Sequence, residues 1–181
     1  GVAALVAGAL SMALGEYVSV SSQRDTEKVL IETERRELEL APEKELEELV
    51  VIYQGKGLSR GTAEVVAKEL TEKDAFAAHL DAELNIDPTD LTNPFHAAYA
   101  SGIAFFCGAI VPIIAILIVP TSMQILSTFI AVVVALIITG VLSAHAGGAN
   151  KLKATIRVLI GGILAMIITF GIGKIFGVVG I

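Results

Sequence analysis

The sequence predicts an all-α fold: an integral membrane bundle of four spanning helices, interrupted by one polar helical insert. Three observations carry that expectation. Charge is segregated, with eighteen of the nineteen acids between Asp25 and Asp90, while residues 94–181 hold only Lys151, Lys153, Arg157 and Lys174. The apolar stretches on either side are long, and each of the last three supplies the roughly 20 residues that cross a 30 Å hydrocarbon core. Overall the 181 residues are 54% hydrophobic, with a mean hydropathy of +0.74. A water-soluble domain does not partition its charge in this way, whereas a membrane protein with a single polar insert does.

The first spanning helix runs from Gly1 to about Ser21. It has no basic n-region and no cleavage pattern, so it does not read as a signal peptide. Opening at Gly1 in mid-pattern is what a fragment lacking its natural N-terminus would show. The second span, Pro94 to Val119, is opened by Asn93 as N-cap and Pro94 as first helical residue, and Pro112 is expected to kink it. The third covers about Thr121 to Ala144 and the fourth about Ala154 to Gly180, where Gly173 and Gly177 form a small-xxx-small packing pair. Basic residues Lys151, Lys153 and Arg157 lie between the third and fourth spans, and the Val119-Pro120-Thr121 link has none. The positive-inside rule then puts the 145–157 loop and the acidic insert in the cytosol.

The insert reads as helical throughout, giving a division into residues 1–22, 23–93 and 94–181. Arg24–Leu40 continues the first helix without Gly or Pro, and Ala41-Pro42 breaks it. A second helix begins at Glu43, Ser59 caps a third through Leu70, and Thr71 with Asp74 is expected to cap a fourth that stops before Asp87-Pro88. Its core is expected to comprise Leu46, Leu49, Val50, Ile52, Val65, Val66, Leu70, Phe76 and Leu80.

Several acids stand where carboxylates are costly. Glu16 lies in the first apolar run, where an ionised side chain costs about 2.5–3.5 kcal/mol on insertion scales. One turn earlier is Met12, so a sulfur and an oxygen share a face, a suitable step for a transition-metal cation. The bland alternative is a carboxylate that snorkels to the nearby polar end. Glu34 and Glu37 form one Glu-x-x-Glu pair and Glu45 and Glu48 another, on helices that Pro42 can fold together. On a helical wheel Glu45 faces the apolar side with Glu48 at its edge, and carboxylates gathered in a packed seam repel one another unless cations neutralise them. Oxygen ligands from adjacent helices suit Fe2+, Mn2+, Zn2+ or Ca2+. His79 and Glu83 face the same way at i, i+4 and can share one ion. The alternative for all of these is a solvated acidic face, and a lone His79 would ordinarily be a surface or capping histidine.

Other chemistries find little support. There is no Glu-x-x-His pair, no Gly-rich nucleotide loop, no serine with a base at motif spacing, and Cys107 stands alone. An enzyme is therefore not expected, and the acidic balance of −6 argues against nucleic acid as a partner. His96 and His145 read as interfacial.

Gly8-Ala9-Leu10-Ser11-Met12-Ala13-Leu14-Gly15-Glu16-Tyr17-Val18-Ser19-Val20, followed by Ser22-Gln23-Arg24-Asp25, resembles the second membrane helix of the vacuolar iron transporter family, which includes calcium-cross-complementing and nodulin-like members. Asn93-Pro94-Phe95, Pro112 and Thr169-Phe170-Gly171-Ile172-Gly173 extend the resemblance over essentially the whole chain. It implies a homodimer with five membrane helices per subunit that exports Fe2+ and often Mn2+ from the cytosol, in exchange for protons, across a vacuolar or bacterial plasma membrane. It also implies that a first helix carrying a pathway Asp is missing here. Met12 would be a pore-lining methionine. Glu34, Glu37, Glu45, Glu48 and Glu83 would be ligands of a cytosolic metal-binding domain, with His79 in place of a methionine. The alternative is a membrane-anchored metal sensor or buffer that binds without transport, and a scaffold with a solvated acidic stalk would bind no metal.

Overall fold

The computed structural model describes residues 1–177. Helix is the only regular structure among them. It consists of α1 (Val2–Leu40), α2 (Pro42–Gly55), α3 (Arg60–His79) with a π-helical extension at Leu80–Leu84, α4 (Pro94–Ile118), a 3-10 turn at Thr121–Met123, α5 (Gln124–Ala146) and α6 (Lys151–Ile175). Four of these helices are long and apolar enough to cross a membrane. The chain is therefore a multi-pass integral membrane protein of the all-α class. It divides into two compact units, one spanning Ser11–Ser101 and the other joining Gly1–Leu10 to the chain from Gly102 onward.

In the Ser11–Ser101 unit, α1 is one unbroken helix because nothing between Glu16 and Leu40 interrupts its hydrogen-bond ladder. At 39 residues it far exceeds a bilayer crossing, so its charged second half stands beyond the hydrocarbon. Ala41 has left the helical region (φ −145°, ψ 53°), as a residue before proline must, and Pro42 opens α2 without needing an N–H partner. Gly57 (φ +100°) makes the tight return that an L side chain would strain, and Ser59 Oγ accepts from the Thr62 N–H at 3.4 Å. The two helices then pack through Leu49 and Val50 against Ala63 and Ala67. Arg60 fastens the open end, donating to both oxygens of Glu47 at 2.7 and 2.8 Å.

The expected core needs correction here. Val65 is 57% exposed, because the face of α3 that meets α2 is built from the alanines two positions on either side. Small residues allow close helix approach, and a valine opposite them is left in the open. Ile52, Val66 and Phe76 are only partly buried, Phe76 lying beneath the Arg35 guanidinium at 4.4 Å. The fourth insert helix also starts later than expected. The break falls at Asp74 (φ −168°, ψ 93°), whose Oδ1 accepts from the Ala77 N–H at 3.0 Å, so Asp74 and not Thr71 is the cap. Asn85, in the left-handed region (φ 51°), ends the element before Asp87-Pro88.

The other unit is held by close helix approach. A Cβ on Gly140 would lie 2.7 Å from the Thr155 Cα, one on Gly162 would meet the Leu136 side chain, and one on Gly8 the Phe105 ring. The helix α4 continues through Pro112, which frees the Gly108 carbonyl. Asn150 caps α6 through the Lys153 N–H at 3.0 Å, so α6 begins three residues before the expected Ala154. Gly177 (φ +68°) lies past the end of α6 and donates to the Lys174 carbonyl, a helix stop rather than half of a packing pair. The expected helix end at Gly180 lies outside the described residues.

Candidate metal centre

Within the Ser11–Ser101 unit, three helices bring titratable side chains to one buried point. The backbone of α1 stands off from the α2–α3 pair, and long side chains bridge the interval. Glu34 reaches in from α1 and is 2% exposed, and Glu45, one turn before Leu49 on α2, is 7% exposed. His79 ends α3 with no exposure at all, beside the equally buried Leu80. The π-helical turn that follows carries Glu83, which remains partly exposed. Single π turns of this kind recur at functional sites because they re-aim a side chain within an otherwise regular helix.

The imidazole is the hub. Its Nδ1 lies 3.0 Å from Glu34 Oε1, 3.4 Å from Glu83 Oε2 and 4.0 Å from Glu45 Oε2. The shortest approach is not a hydrogen bond, since Glu34 Oε1 and His79 Nε2 are both buried without a hydrogen-bond partner. Leaving such atoms unpaired costs about 1–3 kcal/mol each. Donor atoms about 2.1 Å from one ion stand about 3.0 Å apart along an octahedral edge and about 3.4 Å apart along a tetrahedral edge. The two shortest separations match those edges, and one ligand atom from each of Glu34, His79 and Glu83 lies within 4.8 Å of the others.

Electrostatics describe the same crowding. Burial pushes the Glu34 carboxyl from 4.5 up to about 7, reinforced by the charges of Glu83, Glu45 and Glu37. Glu45 is also raised, first by burial and then by Glu48, with His79 acting in the opposite sense. Glu37 and Glu48 are exposed, so they act on the buried carboxylates as charges from the rim. A divalent cation at the hub would relieve both the repulsion and the unpaired atoms.

Met12 and Glu16 stand apart from this centre. Both are exposed on α1, four residues apart, and Glu34 is about 27 Å further along the helix axis at 1.5 Å per residue. Ser101 Oγ donates to the Met12 carbonyl at 3.5 Å. His96 and His145 are both exposed. The two Glu-x-x-Glu pairs are the heart of the site in the sequence. There the helical wheel already turns Glu45 inward with Glu48 at its edge, but it does not say which of Glu34 and Glu37 does the same. The structure buries Glu34 and leaves Glu37 exposed. The sequence reads His79 as sharing an ion with Glu83 while leaving open an exposed position, which the complete burial of the ring excludes. The signal that could have corrected this is the run of small and apolar residues around it, Ala75, Phe76, Ala78, Leu80 and Ala82, which leaves His79 on an inward face.

The VIT family model matches residues 1–174. Over 172 residues the chain is 45% identical to a vacuolar iron transporter of Acanthamoeba castellanii, covering 94% of this chain and 66% of that protein. It is 36% identical to vacuolar iron transporter homolog 2 of Arabidopsis thaliana, over all of this chain and 68% of that one. VIT-like transporter 1b of Glycine max is 31% identical over 98% of this chain and 61% of its own length. The chain thus spans about two thirds of the length of these relatives. With the match running almost end to end, the chain belongs to the VIT family.

Proposed function

We propose that this chain forms the ion-collecting and membrane-crossing part of a divalent-metal transporter, which moves Fe2+ and Mn2+ out of the cytosol in exchange for protons. The observation that carries this reading is the meeting of the buried Glu34 and His79 with the more exposed Glu83, whose ligand atoms are spaced to share one ion. In this reading residues 23–93 are the cytosolic collecting domain, flanked by the membrane helix of residues 1–22 and the three spans of residues 94–181. Glu45, with Glu37 and Glu48 at the rim, draws cations toward the centre. Met12 and Glu16 form a later step, where a sulfur and a carboxylate on an open face of α1 await a second copy of the chain to enclose the path. Binding an ion displaces protons from the centre, which supplies the counter-flow. The names of the relatives, vacuolar iron transporters, support iron as cargo, and the basic α5–α6 connection supports a cytosolic insert.

Ion flux into proteoliposomes of the full-length protein tests this reading. Fe2+ and Mn2+ uptake driven by a proton gradient is expected, falling at least tenfold in Met12→Ala and in Glu16→Gln. Unchanged rates in both variants would remove the pathway assignment. Saturable binding by the wild type with no flux would make the protein a sensor or buffer.

A further inference from the structure

We infer that His79 sets the ion preference of this centre, favouring divalent cations that accept an imidazole (Fe2+, Co2+ and Zn2+) over the oxygen-seeking Mn2+, Mg2+ and Ca2+. This inference rests on the reading of Glu34, His79 and Glu83 as a metal centre, and it goes further by naming which ions the centre accepts.

Carboxylates alone would make a hard oxygen site that discriminates poorly between neighbouring ions. Here Glu34 and Glu83 share a nitrogen neighbour, His79 Nδ1, at 3.0 and 3.4 Å. Two features separate this imidazole from an ordinary core histidine. A core histidine satisfies both ring nitrogens with hydrogen bonds, yet Nε2 is buried without a partner. Nδ1, for its part, faces three carboxylates, with Glu45 Oε2 at 4.0 Å, where one partner would suffice for a structural role. The ring has no exposure, so it cannot swing into solvent and leave the oxygens to act alone. An ion held between Glu34 Oε1 and Glu83 Oε2 therefore lies within reach of the nitrogen.

Imidazole suits iron, nickel, copper and zinc, whereas carboxylate and water suit magnesium, calcium and manganese. Ca2+ also needs six to eight oxygens at 2.3–2.6 Å, and an imidazole occupies one of the places they would fill. The unpartnered Nε2 has a second consequence. Histidine ligands ordinarily donate from the other nitrogen to an acceptor, and losing that acceptor weakens metal binding about 10–100-fold. His79 without one selects the ion but holds it loosely, as suits a cation that must move on.

Competition titrations on the full chain in detergent, with the metals alone (Zn2+, Co2+, Mn2+ and Ca2+), test the inference. Any mixed nitrogen and oxygen site binds Zn2+ more tightly than Mn2+, so the informative quantity is how that ratio changes. His79→Asp is expected to keep Mn2+ affinity within about threefold and to lose at least tenfold for Zn2+ and Co2+, narrowing the ratio about tenfold or more. An unchanged ratio, with Glu34→Gln abolishing the binding of every ion, would overturn the role of His79 and leave the metal centre standing. Identical binding by the wild type and Glu34→Gln would instead remove the centre itself, and the inference with it. Should His79→Asp fail to fold, pulsed electron paramagnetic resonance on the Mn2+-loaded wild type gives the answer. Coupling to an imidazole nitrogen is expected, and its absence would overturn the proposal.

Discussion

Replacing Glu34 with Gln isolates the electrostatic cost that the centre carries when no ion is bound. Glu34 titrates near 7 in the folded protein against an ordinary 4.5. Its raised value means that protonated Glu34 suits the fold and ionised Glu34 opposes it. The Glu34 contribution is therefore present in full below about pH 4.5 and is lost as pH rises through about 7. At 1.36 kcal/mol per pH unit, the interval between those values corresponds to about 3 kcal/mol. For a chain of this size, 1 kcal/mol moves a melting midpoint by about 2–4 °C, so the loss is worth about 6–12 °C. Thermal unfolding in detergent with a chelator present, scanned from pH 4.5 to 8.5, should show the wild type falling across this window. Glu34→Gln, which mimics the protonated group, should stay nearly flat and be the more stable protein at pH 8. Saturating Co2+ should restore the wild type at pH 8 and do little for the variant. Parallel pH profiles for the two proteins would refute the claim that Glu34 is buried at the cost of its charge.

Two further substitutions probe how the fold holds its parts. Gly140→Val should destabilise the α5–α6 contact by about 1–3 kcal/mol, since the new side chain meets the Thr155 backbone rather than a movable tip, whereas Gly108→Ala has open space and should change little; melting temperatures of the two variants check this. Arg60→Ala removes the two-pronged contact with Glu47, but both side chains are about half exposed, so the loss should stay below about 1 kcal/mol and shrink in 1 M salt, as denaturant titrations would show.

Much of this architecture was legible in the sequence because its signals were local or periodic. Twenty-residue apolar runs, Ala41-Pro42, Ser59 and Asn93-Pro94 each announce a boundary through backbone chemistry that does not depend on tertiary context. The seam between α2 and α3 was harder to read. Two alanines, Ala63 and Ala67, carry the contact there, and hydrophobicity alone ranks Val65 above them. Asp74 rather than Thr71 as the cap reflects the same limit, because both residues can cap and only the packed helix decides. Among the candidate ligands, the residue types and spacings were plain. The inward turn of Glu45 could be read from its helical wheel, but the burial of Glu34 could not, since that follows from how far α1 stands off from the α2–α3 pair. The π turn at Leu80–Leu84 has no sequence signature and is known only from the structure.

Anomalous X-ray scattering from crystals soaked in Co2+ would locate the ion directly. A peak is expected about 2.0–2.3 Å from Glu34 Oε1, His79 Nδ1 and Glu83 Oε2, the range for nitrogen and carboxylate ligands. Peaks confined to the exposed acids, with the buried imidazole bare, would contradict the account.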